Sequence, residues 1–176
     1  MRTLLIASIM LGTLPAGSIA DGPKVNRAMI EAMEHGLDAK LTGIWPQDPA
    51  EVLGVSQGTY IRGYGAVFLS EVNLAQAAGI SPFHPAIRPD EIVKTHDKKV
   101  QRMAALRTTM RAMLMDSARS LDAVPPDEQV AVGISLFYWT WENHDGLPAQ
   151  IVMHAPRKAL LAAANAEQAQ IASDEF

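Results

Sequence analysis

GVSQGTYIRGYGAVFLSEVNL, residues 54–74, is the stretch on which the fold turns. Tyr60, Ile61, Tyr64, Val67, Phe68, Leu69 and Val72 give it the β-branched and aromatic enrichment of a strand, running from Thr59 to Leu74. Gln57-Gly58 is a turn signal, and the valine-rich run Glu51 to Val55 lies just before it. Together they predict a β-hairpin. Gly63 and Gly65 stand at period two, which strips side chains from one side of the second strand. Such a strand either bends there or lets another backbone approach closely.

The same stretch holds Gly54-Val55-Ser56-Gln57-Gly58, a match to the G-x-S-x-G nucleophile elbow, with Asp145 and His154 following in the chain order of α/β-hydrolases. That elbow needs a helix immediately after the serine to help build the oxyanion hole, and Thr59 onward reads as strand. Ser56 is therefore expected in a turn rather than as a nucleophile.

Upstream, Asp21-Gly22-Pro23 suits a helix start, and Val25, Met29, Ala32, Met33, Leu37 and Leu41 recur at helical spacing. A helix is expected from about Pro23 to Lys40. Downstream, Gln76 to Pro89, with Gly79, His84 and three prolines, reads as a loop. Pro89-Asp90-Glu91 then opens a long helix whose apolar face is Val93, Val100, Met103, Leu106, Met110, Met113, Leu114 and Leu121, and Val124-Pro125-Pro126 stops it. Val130 to Trp141 is almost continuously apolar and reads as a central strand. Asp145-Gly146 signals a second hairpin, Gln150 to His154 the return strand, and Pro156 to about Gln170 a last helix before a frayed Ser173-Asp174-Glu175-Phe176. The expected architecture is α+β: an antiparallel sheet of about four strands from two β-hairpins, with the helices packed on one face.

Met1-Arg2-Thr3, an apolar run from Leu4 to Leu14 and the small residues of Ser18-Ile19-Ala20 form the three parts of a secretory signal peptide. Residues 1–20 are expected to be removed, leaving 21–176 as one domain, secreted or periplasmic. The apolar run is well short of the roughly 20 residues a membrane span needs, so no transmembrane anchor is expected after cleavage. Cysteine is absent, which excludes disulfides, thiol catalysis and thiolate metal sites. Because Arg2 is the one charged residue of the leader, residues 21–176 carry 14 basic against 19 acidic side chains, a net −5. That balance argues against nucleic acid as a partner.

The side chains able to carry chemistry gather at the end of the central strand and in the turn that follows it. Trp139, Trp141, Asn143 and, in the first hairpin, Tyr64 are candidate ligand-binding residues, because such groups stack on and orient small molecules. Glu142 and His144 are candidate acid/base groups, with Glu71 as a second carboxylate if the sheet brings the two hairpins together. The histidines His35, His84, His96, His144 and His154 show no i, i+4 or H-x-H spacing and no H-E-x-x-H, so no metal site and no cofactor is expected. His35 and His96 fall in helices, where they read as solvated. Lys94, Lys98, Lys99, Arg102, Arg107, Arg111 and Arg119 on the long helix do not form one track and read as a solvated face.

Tyr60 to Phe68 and Gly146 to Met153 resemble stretches of uncharacterised bacterial exported proteins. The resemblance implies a bacterial, extracytoplasmic setting and carries no activity with it. The functional expectation is noncatalytic binding of a partner protein or small ligand, and the alternative is a small extracytoplasmic hydrolase using Glu71, Glu142 and His144. A third possibility, anion or nucleic-acid binding by the long helix, would show steep salt dependence.

Overall fold

A computed structural model of the chain describes residues 24–76 and 86–176. The leader, the helix start proposed at Asp21 to Pro23 and His84 lie outside the described residues, as does most of the loop expected between Gln76 and Pro89. Among the described residues the order is α1 (Arg27–Gly43), β1 (Glu51–Val52), β2 (Gln57–Ile61), β3 (Gly65–Asn73), α2 (Pro89–Ser120), β4 (Gln129–Leu136), β5 (Gln150–Pro156), α3 (Arg157–Ala162) and β6 (Ala172–Glu175). No helix among them is long and apolar enough to cross a membrane.

α1 begins where Asn26 accepts the Met29 N–H at 3.0 Å, relieving one of the unpaired donors of the first turn. α2 begins with Pro89 and an acidic first turn, and the Glu91 carboxylate reaches back to the Arg88 N–H at 2.9 Å. At 1.5 Å per residue its 32 residues run for about 48 Å, long enough to cross the whole sheet.

The strands form one open, mixed sheet in the order β1-β3-β4-β5-β6, with β2 also on β3. β1 and β2 line the same edge of β3, at Val72–Asn73 and Gly65–Leu69 respectively. β3 and β4 are parallel, with Val67 opposite Ala131 and Leu69 opposite Gly133. This corrects the all-antiparallel expectation. Parallel neighbours need a crossover connection, and α2 is that crossover. The pairs β4–β5 and β5–β6 are antiparallel.

Both expected hairpins exist with different boundaries. In the first, Gln57-Gly58 is strand and not turn. The chain reverses at Arg62-Gly63-Tyr64, where Gly63 has φ +83° and Tyr64 N–H closes on the Ile61 carbonyl at 3.0 Å. Gly58 serves close packing instead: a β-carbon there would lie 2.6 Å from both Ile30 of α1 and the Phe68 ring. Gly65 meets the expectation of close approach, since a β-carbon on it would overlap the Gln129 backbone of β4. In the second hairpin β4 stops at Leu136, short of Trp141, and Asp145-Gly146 lies within the connection 137–149.

The C-terminal expectations also change. The last helix is α3, six residues long, and the segment expected to fray is β6. Phe176 N–H donates to the Gln150 carbonyl at 3.0 Å, and Arg107 holds the Glu175 carboxylate through two bonds of 2.7 and 2.9 Å. Those bonds give a short polar strand what its composition lacks.

All three helices pack on one face of the sheet, as expected. Phe68, Val72, Val132, Ile134 and Ile151 meet Leu106, Met110 and Leu114 of α2 and Leu37 and Leu41 of α1, all of them buried. Each such side chain contributes roughly 1.5–3 kcal/mol by leaving water. The buried stripe of α2 continues toward its N-terminus through Arg102, Lys99 and Thr95, while Val93 and Val100, expected on the apolar face, stay exposed.

Candidate functional site

At the carboxyl end of β4 the backbone leaves the sheet and is tied to α2. Lys99 Nζ donates to the Phe137 carbonyl at 2.8 Å, lies 2.5 Å from Glu142 Oε2 and stands 4.5 Å from the centre of the Tyr138 ring. Glu142 Oε1 accepts the Trp139 N–H at 3.1 Å. Burial pushes the Lys99 ammonium below its ordinary value, and Glu142 pulls it back up. Burial, helped by the Glu142 charge, pushes the Tyr138 phenol up to about 12. The Tyr138 hydroxyl donates to the Pro148 carbonyl at 2.8 Å, and His96 Nε2 meets the Asp145 carbonyl at 3.1 Å. His96 is therefore engaged by this connection, not merely solvated.

The remaining residues of the expected cluster take separate positions. Trp139 is exposed and packs edge-on against Phe137 with ring centres 5.0 Å apart, and Trp141 is half-buried. Asn143 accepts the Asp145 N–H at 2.9 Å in a local turn, and His144 leans on Tyr138 at 5.4 Å. Tyr64 is at the far end of the sheet, in the β2–β3 turn. Glu71 points to the side of β3 away from the helices, whereas Glu142 is turned toward α2. The carboxylates and His144 thus share no pocket.

The face opposite the helices is where exposed apolar and polar groups meet. Alternation along β3, β4 and β5 puts Val67, Leu69, Glu71, Ala131, Gly133, Ser135, Gln150, Val152 and His154 there. Leu69 is 49% exposed and Ile61 51%, and Leu69 lies over Gly133, where a β-carbon would come within 2.7 Å of it. Beside Leu69 is a shallow hollow of about 390 Å³ whose apolar rim is Leu53, Val55 and Leu69. Its polar floor is Gln57, Glu71 and Ser135, the last receiving the Gln150 amide at 3.3 Å. Glu71 is the one member of this site singled out in the sequence. Val55 and Gln57 figured there only inside the G-x-S-x-G match and the turn signal, and nothing local groups Glu71 with Ser135 until β3 is known to lie beside β4.

Elsewhere, polar groups serve the fold. Ser56 is 1% exposed; its hydroxyl and N–H both contact Asp38 Oδ1, at 2.5 and 3.0 Å, and the hydroxyl also contacts Ser70 at 2.5 Å. One turn earlier, Glu34 accepts the Gly58 N–H at 2.6 Å, so two carboxylates of α1 cover the outer edge of β2. Of the basic residues on α2, Arg102 binds the Leu74 and Asp48 carbonyls and the Asp48 carboxylate, Lys98 pairs with Asp48, and Arg111 holds the Ala166 and Ala169 carbonyls. Their charges are spent inside the molecule. His154 lies between Gln129 at 3.3 Å and Asp174 at 3.9 Å. Among the described residues no group of three His, Cys, Asp or Glu is placed to hold a metal ion.

Neither a family model, nor a curated protein, nor a solved structure matches this chain.

Proposed function

We propose that the chain is an exported, noncatalytic binding domain whose contact surface is the sheet face opposite the helices. The observation behind this reading is that all three helices cover one face, leaving Val55 and Leu69 exposed around the floor formed by Glu71, Ser135 and Gln57. A carboxylate beside a serine and an amide accepts hydrogen bonds, and the apolar rim removes water from around them. The occupant is a small ligand or a partner side chain with a positive or hydrogen-bond-donating end over Glu71 and an apolar part against Leu69 and Val55.

The test is the native mass of the chain recovered from an exporting host, followed by titration of the same material with benzylamine as a cationic probe. A stoichiometric mass excess lost in Leu69→Asp, or saturable amide shifts at Glu71 and Ser135 lost in Glu71→Gln, supports the proposal. A parent at the bare mass of its chain, with those amides unmoved by benzylamine, sinks it.

A further inference from the structure

A larger hollow, about 700 Å³, lies at the other end of the molecule, where the β2–β3 turn, the α2–β4 turn and the start of α3 converge. Its volume falls in the range of small-molecule sites. Three of its lining residues are basic, Lys24, Arg62 and Arg157, against one carboxylate, Asp122.

The two arginines differ from most others in the fold. Arg27, Arg88, Arg102, Arg107 and Arg119 each pair with a carboxylate. Arg157 has no carboxylate within ion-pair distance among the described residues. Its Nε and Nη1 donate to the Ala118 and Val124 carbonyls at 2.8 and 3.2 Å, which fixes the plane of the guanidinium against the end of α2. Arg62, across the hollow, is exposed and makes no hydrogen bond or ion pair with the described residues. A pre-oriented guanidinium lining the same hollow as a second, unpaired one offers charge-assisted bonds to a carboxylate or phosphate.

The rest of the wall is flat and apolar. Pro125 and Pro126 form one side, held by the Glu128 N–H on the Pro125 carbonyl at 3.1 Å and the Lys158 N–H on the Pro126 carbonyl at 2.8 Å. Tyr60 forms another, its phenol held above the ordinary value by burial and by its bond to the neighbouring Glu128. A bare inorganic ion would leave most of this space empty.

We propose that this hollow binds a small organic anion, its carboxylate or phosphate between Arg62 and Arg157 and its ring or apolar body against Pro125, Pro126 and Tyr60. This site is independent of the sheet face, and its failure would leave the reading of that face intact.

The experiment is a titration of the isotope-labelled protein, recovered from an exporting host, with benzoate, phenyl phosphate and the neutral benzyl alcohol, read on backbone amides. The expected result is saturable shifts confined to residues 60–64, 122–124 and 157 for at least one anion, weakened roughly tenfold in Arg62→Ala. Benzyl alcohol is expected to bind at least as weakly as the anion binds that variant. The stronger of the two anions distinguishes a carboxylate from a phosphate ligand. Arg62 is exposed, so its removal leaves the fold in place, unlike that of Arg157, which closes α2. The proposal is overturned if neither anion shifts these amides by about 10 mM, the edge of weak binding. It is equally overturned if the alcohol binds as well as the anions, or if Arg62→Ala changes nothing.

Discussion

Lys99 of α2 and Glu142 of the β4–β5 connection face each other at 2.5 Å with both side chains only 1% exposed. Neither charge has water to fall back on, so removing one strands the other. Glu142→Ala is expected to cost about 3–5 kcal/mol of stability, and Lys99→Met combined with Glu142→Leu to recover more than half of that loss. Urea unfolding of both variants decides it; a double variant no better than the single would show that the connection, and not the buried charge, carries the energy.

Tyr138, against that pair, is expected to ionise near pH 12, in a step separate from an exposed tyrosine. Its neutral form is favoured in the folded state, so the unfolded chain loses this proton first. Stability therefore falls as pH rises from about 10 toward 12. Glu142→Gln removes one of the two causes of the shift and should lower the ionisation point. Tyrosinate absorbance on folded protein follows both effects.

Gly58→Ala is expected to destabilise the fold by about 1–3 kcal/mol, because the added methyl meets Ile30 and Phe68 at 2.6 Å. Gly146→Ala has no neighbour within 4 Å and is strained only through its φ of +73°. Thermal unfolding should rank Gly58→Ala as the more harmful.

Ser56 is expected to remain unlabelled by serine-reactive phosphonates in the native protein, since its hydroxyl is buried between Asp38 and Ser70. Ser56→Ala should cost about 1–2 kcal/mol, the usual loss for a buried hydrogen-bonded hydroxyl. Stoichiometric labelling of the folded chain would restore the nucleophile reading.

The Arg107 guanidinium holds the Glu175 carboxyl below the usual glutamate range. The bond stabilises β6 at pH above the ordinary value of 4.5 and is lost as pH falls through the depressed one. Protection of the Asp174 and Phe176 amides, which face β5, should fall over that acid window, and Arg107→Gln should show it already lost at neutral pH.

Helices were the most legible part of the chain. Pro89, Asp90 and Glu91 mark the start of α2, and the Met103, Leu106, Met110, Met113 spacing marks its buried side. What the spacing concealed was its polar end: stepping back from Leu106 by three or four residues reaches Arg102, Lys99 and Thr95, which a hydrophobicity pattern passes over in favour of Val93 and Val100. Lys99 and Arg102 are buried because carbonyls and carboxylates from other elements wait there, and those partners are remote in sequence. Strands were legible as segments but not as neighbours. Period-two alternation says which residues share a face and nothing about which strand lies beside it, so the parallel β3–β4 pair, and with it the grouping of Glu71 with Ser135, had no local signature. Gln57-Gly58 misled for a related reason, as a glycine required by a close helix has the same spelling as one required by a turn.

The pairing of Gly65 with Gln129 joins positions 64 residues apart, with the whole of α2 between them. In kinetic terms the centre of this sheet is its most distant contact, and loop closure must be met before any of its hydrogen bonds can reward it. The β2–β3 hairpin and the α2 helix are local enough to form early, whereas the β3–β4 seam waits for the helix to be laid across and for the chain to return. Until that seam closes, the inner edge of β3 is an open template for any passing strand, and the slowest step of folding is also the one most exposed to aggregation.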